Sequence, residues 1–211
     1  MIELFAAPTP NSQKIGIMLE EIGLPYEVNI IDLSKGEHCR PEYLQINPNG
    51  KVPTIIDREA SVKLFESGAI LLYLAEKTGK LLPRTAVERA EVYQWLMFEM
   101  SGLGPTGNQF AHFGFYAAEK IPYAIQRYQQ EILRLLAVLN SHLEGREFLG
   151  AEYSVADIST FPLINALTYF GANAGIVVAE FPHLQRWANT LLARPAVQRG
   201  LAFERQGAAV R

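Results

Sequence analysis

The sequence predicts a two-part fold: an α/β domain over residues 1–79, a linker at 80–86 and an all-α domain over 87–211. Three observations carry this expectation. Short apolar strands alternate with amphipathic helices as far as Gly79. The run Gly79-Lys80-Leu81-Leu82-Pro83 then interrupts the pattern, and from Val87 onward only helical periodicity remains.

Residues 2–6 read as a strand. Ile15, Met18, Leu19 and Ile22 recur at three- and four-residue spacing and predict a helix over 11–23, stopped at Gly23. Residues 26–31 alternate as a second strand, and 40–46 read as a short helix. Two further short strands, 52–57 and 62–65, are joined by Arg58-Glu59-Ala60-Ser61. A helix over 67–78 puts Ile70, Leu71 and Leu74 on one face, with Gly79 just past its end. This order allows a parallel βαβ unit followed by a hairpin and a helix, which is the order of a thioredoxin-like domain.

In the second half, a helix over 122–145 carries the stripe Ile125, Tyr128, Ile132, Leu135, Leu139 and Leu143. Gly102-Leu103-Gly104-Pro105 is expected to break or bend the helix before it. Ser154-Val155-Ala156-Asp157 has capping-box spacing, with Asp in place of the usual Glu or Gln. Pro182 and Pro195 each stand where a first helical turn begins.

Composition excludes several classes. With 49% apolar and 19% charged residues, the 211-residue chain is globular. A net charge of −3 offers no basic surface to nucleic acid or an anionic membrane, and no apolar run is long enough to span a bilayer. The opening Met-Ile-Glu-Leu-Phe lacks a signal-peptide pattern, and the single cysteine, Cys39, excludes an internal disulfide framework. Both fit a cytoplasmic protein. His38, His112, His142 and His183 show no metal-ligand spacing. No glycine-rich phosphate cradle and no G-x-S-x-G elbow occurs.

Two motifs point to a ligand. Pro53, at the start of the strand over 52–57, donates no ladder bond, so its edge is open to another backbone. Glu66-Ser67 opens a helix whose first N–H groups and hydroxyl make a seat for a carboxylate. Together they suit a small acidic peptide. Read from residues alone, Pro53 also fits a trans proline on an edge strand, and Glu66-Ser67 fits simple helix capping.

With Val52-Pro53, Glu66-Ser67 and Ser154-Val155-Ala156-Asp157 in these places, the whole chain resembles the glutathione transferase superfamily. Phe5-Ala6-Ala7-Pro8-Thr9-Pro10-Asn11-Ser12, the run from Phe65 to Gly79 and the segment from Ile121 to Tyr128 are similar to the bacterial nu class, glutathione-dependent disulfide-bond oxidoreductases. A fungal nitrogen regulator shares the scaffold. The resemblance implies a homodimer with glutathione as cosubstrate and no metal. It implies a cis Pro53, with the Val52 backbone pairing with the cysteinyl part of glutathione, and Glu66 and Ser67 on its γ-glutamyl end. Lys51 and His38 are candidates for the glycyl end, or solvated surface residues. Arg127 is a candidate glutathione contact, directly or across a dimer, or a surface ion pair.

Thr9 and Asn11 are the candidate catalytic residues. They lie between the first strand and the first helix, where a thioredoxin-like fold faces the reacting sulfur, and they can stabilise a thiolate. The plainer reading is a loop with Asn11 as helix N-cap. Better-known superfamily members use Tyr, Ser or Cys near this place, so Ser12 is a rival. Cys39 has no C-x-x-C partner and reads as a loop thiol. Phe110, Phe113, Phe115 and Tyr116 form either the wall of an apolar substrate pocket or a core cluster. Three activities follow from the resemblance: reduction of small disulfides, conjugation of glutathione to electrophiles, and a non-enzymatic binding module.

Overall fold

The computed structural model describes residues 1–203. In chain order the elements are β1 (Ile2–Ala6), α1 (Pro10–Ile22), β2 (Tyr26–Ile30), α2 (Pro41–Leu44), β3 (Thr54–Asp57), β4 (Val62–Phe65) and α3 (Ser67–Thr78). Then come α4 (Ala86–Phe98), α5 (Gly104–Ala111), α6 (Pro122–His142), α7 (Val155–Phe170), α8 (Pro182–Leu192) and α9 (Pro195–Leu201). The contacts divide the chain into two compact units, 1–82 together with the segment from Leu192, and 83–191.

The first unit is built on a mixed four-stranded sheet of order β2-β1-β3-β4. β1 runs parallel to β2 and antiparallel to β3, and β3 runs antiparallel to β4. Phe5 is opposite Thr54, and Thr54 is opposite Phe65. The exit of β1, the entry to β3 and the exit of β4 therefore lie at one end of the sheet. The apolar faces expected from periodicity are the buried ones: Ile15, Met18 and Leu19 on α1, and Ile70, Leu71 and Leu74 on α3.

β3 starts at Thr54, two residues later than the strand expected over 52–57. The Val52-Pro53 bond is cis, Pro53 has no N–H, and the Lys51 carbonyl is taken by side chains rather than by a ladder. The helix expected over 40–46 is the four-residue α2, preceded by 3₁₀ turns at Leu33–Lys35 and Glu37–Cys39 that the periodicity does not reveal.

Residues 192–203, which the sequence predicts as part of the helical half, pack on α1 through α9. A methyl group at Gly16 would stand 2.6 Å from the Gly200 carbonyl oxygen, so this crossing admits only glycine. Arg194 clasps Glu21 through two bonds of 2.7 and 3.0 Å, and Arg199 pairs with Glu20 at 2.6 Å.

In the second unit, the run Gly102 to Pro105 does not break the helix. A π-helical stretch, Glu99–Leu103, carries α4 into α5, and its wider turn accommodates Pro105. The capping box at α7 forms with Asp157 in the acidic position. The buried Asp157 carboxylate accepts from the Leu149 and Ser154 N–H groups and from the Trp187 indole at 2.9–3.0 Å. Burial pushes its pKa up to about 6, although the Leu149, Trp187 and Ser154 donors act against that rise.

Asp57, at the end of β3, is also fully buried. It accepts from the Tyr73 hydroxyl at 2.6 Å and pairs with Lys77 at 2.9 Å, which ties the β3–β4 turn to α3. Burial alone would raise its pKa, but the Tyr73, Lys77, Ala60 and Glu59 donors outweigh burial and hold it at about 2.

Two outcomes are expected from these carboxylates. Asp157→Ala strands three buried donors and lowers the unfolding free energy by about 3 kcal/mol or more, read from urea denaturation near neutral pH. The folded pKa of Asp57 lies below its unfolded value, so its contribution of about 2 kcal/mol is present above about pH 4 and is lost as pH falls through about 2. Asp57→Asn flattens that part of the stability–pH curve.

Candidate functional site

The register of the sheet brings the expected motifs to one end of the first unit. Thr9 follows β1, Val52 and Pro53 precede β3, and Glu66 and Ser67 follow β4.

Thr9, not Asn11, is the N-cap of α1. Its backbone is extended, and its hydroxyl oxygen accepts from the Ser12 N–H at 3.3 Å. Pro10 occupies the first helical position and has no N–H, while the Gln13 N–H returns to the Thr9 carbonyl. The Asn11 N–H is thus left open at the positive end of the helix. Ser12 is fully buried, and its hydroxyl accepts from the Ala7 N–H at 3.4 Å. Ser12 anchors the turn from inside, whereas Thr9 and Asn11 are half-buried and face outward access. The Thr9 hydroxyl donates to Ser12 Oγ at 3.2 Å, a long bond that leaves the rotor able to turn to another acceptor.

Val52 is half-buried and Pro53 is buried. Val52 stands outside every strand pair, and its N–H and carbonyl meet no partner among the described residues. The peptide before it is fixed. Tyr43 Oη and Asn47 Nδ2 each donate to the Lys51 carbonyl at 2.6 Å. Asn47 Nδ2 also donates to Thr54 Oγ1 at 2.9 Å, and the Thr54 and Tyr43 hydroxyls lie 2.9 Å apart. No local sequence signal marks Tyr43, Asn47 or Thr54 as neighbours of this carbonyl. The run Asn47-Pro48-Asn49-Gly50 forms a turn in which the Asn49 N–H donates to Asn47 Oδ1 at 2.9 Å, and nothing local in it reveals which carbonyl the Asn47 amide reaches.

Glu66 adopts φ 70° and ψ 112°, a left-handed conformation costly for a non-glycine residue and characteristic of functional sites. No side chain caps α3, which starts at the end of the sheet where β4 leaves it. Ser67, at the first helical position, is buried; Glu66 is exposed and accepts from Asn49 Nδ2 at 3.2 Å. Asn49 thereby joins the Val52 side of the site to the Glu66 side.

Lys51 is exposed beside this turn. Gly50, at φ 60°, lies against the His38 backbone: a methyl group there would be 3.3 Å from the His38 carbonyl oxygen. His38 is half-buried, and its Nδ1 is enclosed without a partner. Cys39 is exposed. Arg127 lies on α6 in the second unit, exposed and without a hydrogen bond or ion pair to a described residue; its charge helps hold the Glu131 carboxyl below the usual range, after the larger effect of Arg134. The aromatic segment of that unit divides. Phe110 is core, Phe113 stacks on Tyr128 at 5.8 Å, and Phe115 and Tyr116 are exposed.

Among the described residues, no helix is long and apolar enough to cross a membrane, and no group of three or more His, Cys, Asp or Glu stands together as a metal site.

The glutathione S-transferase N-terminal domain model matches residues 1–76, and the C-terminal domain model matches 109–195. The disulfide-bond oxidoreductase YfcG of Escherichia coli is 47% identical over 207 residues, covering 95% of this chain and 94% of the relative. A glutathione transferase from Pseudomonas putida, solved with one glutathione disulfide per subunit, superposes with a TM-score of 0.90 at 42% identity over 95% of this chain and 90% of that one. A glutathione transferase from Burkholderia graminis, solved with two glutathione molecules per subunit, gives 0.89 at 45% identity over 95% and 87%. The motifs, the mixed sheet with its helical second half, and both domain models agree: the chain belongs to the glutathione S-transferase family.

Proposed function

We propose that this protein binds glutathione at the sheet end of its first unit and uses it to reduce small disulfides. One observation carries the reading. An unpaired Val52 peptide group, an uncapped α3 N-terminus and the Thr9–Asn11 turn converge there, with no cysteine among them. A site that holds a peptide backbone and a carboxylate but lacks its own thiol takes its sulfur from the ligand. The name of the Escherichia coli relative and the glutathione disulfide bound to the Pseudomonas putida relative support the same choice.

In this proposal the Val52 backbone pairs with the cysteinyl unit, and α3 with Ser67 receives the γ-glutamyl carboxylate. Glu66 accepts from the ligand's ammonium, while Lys51 and His38 flank its glycyl end. Arg127, with its guanidinium open, is proposed as a further glutathione contact, directly or across a dimer, and the enzyme as homodimeric and cytoplasmic. Thr9 and the Asn11 N–H stabilise the sulfur as thiolate and lower its pKa. The thiolate attacks one sulfur of the substrate disulfide and releases the other as a thiol. A second glutathione resolves the mixed disulfide, so one disulfide and two glutathiones become two thiols and glutathione disulfide.

Thr9→Ala is expected to lower kcat/KM for glutathione-dependent reduction of 2-hydroxyethyl disulfide by about tenfold or more, as loss of a donor to a developing anion does. Unchanged reduction removes Thr9 from the chemistry. Ser67→Ala is expected to raise the KM for glutathione by about tenfold through loss of a charge-assisted bond. Faster turnover of an aryl halide than of the disulfide would assign the site to conjugation instead.

A further inference from the structure

The glutathione reading assigns ligand contacts but leaves open what aims the Val52 N–H at the ligand. We infer that Asn47 and Tyr43 are positioning residues that set glutathione affinity by locking one peptide plane. The Lys51 carbonyl and the Val52 N–H belong to the same planar, trans peptide unit, so they point in opposite directions. Whatever fixes the oxygen fixes the N–H.

The oxygen is fixed from inside the protein by two donors at 2.6 Å. Both come from buried side chains: Asn47 is 1% exposed and Tyr43 5%. The donors are committed. The one Tyr43 hydroxyl proton goes to the Lys51 carbonyl, so Thr54, opposite it at 2.9 Å, donates to Tyr43. The two Asn47 amide protons go to the Lys51 carbonyl and to Thr54 Oγ1. Asn47 Oδ1 accepts from the Asn49 N–H, which closes the account of that side chain. A closed, satisfied ring of this kind in a buried setting holds its geometry, because every rotation strands a polar group. The carbonyl is therefore held inward, and the Val52 N–H is turned away from the ring, unpaired and ready for an acceptor. Pre-setting a donor in this way removes an ordering cost from binding. Thr54 couples the lock to the sheet, since it is the first residue of β3 and is paired with Phe5 and Phe65.

This inference rests on the reading that glutathione binds on Val52, and the test separates the two. Glutathione affinity is measured by calorimetry on the full chain for wild type, Tyr43→Phe, Asn47→Ala and Asn47→Asp, with the Val52 amide resonance followed by NMR and the melting temperature recorded. Wild type is expected to bind, with the Val52 amide shifting on saturation. Tyr43→Phe, which deletes one donor and keeps the ring, is expected to weaken affinity about threefold to tenfold. Asn47→Ala and Asn47→Asp are expected to weaken it by about tenfold or more and to reduce the Val52 shift. Asn47→Asp is decisive because it retains the acceptor for the Asn49 turn and lacks the amide donors. If Asn47→Asp or Tyr43→Phe binds like wild type, the lock is overturned while the glutathione site stands. If wild type binds no glutathione, the site and the lock fall together. Should the Asn47 variants not fold, Tyr43→Phe carries the result.

Discussion

The Lys51 carbonyl oxygen is where the architecture of the first unit and the chemistry at its end meet. Two short bonds from Tyr43 and Asn47 hold it inward. With that oxygen taken and Pro53 lacking an N–H, the β3 ladder begins only at Thr54 and Val52 keeps an unpaired backbone. A sheet that ran on through Val52 would have used this N–H internally. The same turn reaches Glu66 through Asn49, so the open Val52 edge and the start of α3 are joined by one connected group of polar side chains. Its buried members, Tyr43, Asn47 and Thr54, are fully satisfied, which makes their arrangement single-valued.

Around that group, the helices deliver their ends rather than their faces. α1 and α3 bury apolar faces and present their N-termini at the sheet end, where the helix dipoles are positive. α9 holds α1 from behind through the Gly16–Gly200 crossing and the pairs Arg194–Glu21 and Arg199–Glu20. Asp57 fixes α3 to the β3–β4 turn through Tyr73 and Lys77. Each tie is remote from Thr9 and Ser67, yet each sets where one of the two helix ends stands.

Much of this was legible in the sequence because it follows from local rules. The 3.6-residue stripes mark α1, α3 and α6, Gly23 and Gly79 mark helix ends, and Ser154 to Asp157 spells its own cap. Thr9, Val52, Pro53, Glu66 and Ser67 stood out because their motifs are contiguous, and the strand register gathers them. What was not legible is long-range or geometric. Nothing local says that Tyr43 and Asn47 share one carbonyl, that Gly200 meets Gly16, or that Glu66 takes a positive φ. The π-helical stretch escaped because glycine and proline together signal interruption without saying whether the helix stops or widens. The cap of α1 fell to Thr9 because Pro10 starts the helix one residue earlier than the apolar spacing implies.

In the proposed function, this end of the first unit stabilises a thiolate brought by the ligand. The most direct measurement is an ultraviolet titration of glutathione bound to a Cys39→Ser protein, with the unliganded protein subtracted. A free thiol of this kind ionises near about pH 8.5. Bound at this site, the thiol is expected to be half-ionised about one pH unit lower or more, and Thr9→Ala is expected to move the midpoint back toward the free value. A midpoint for the bound thiol at or above that of free glutathione would contradict it.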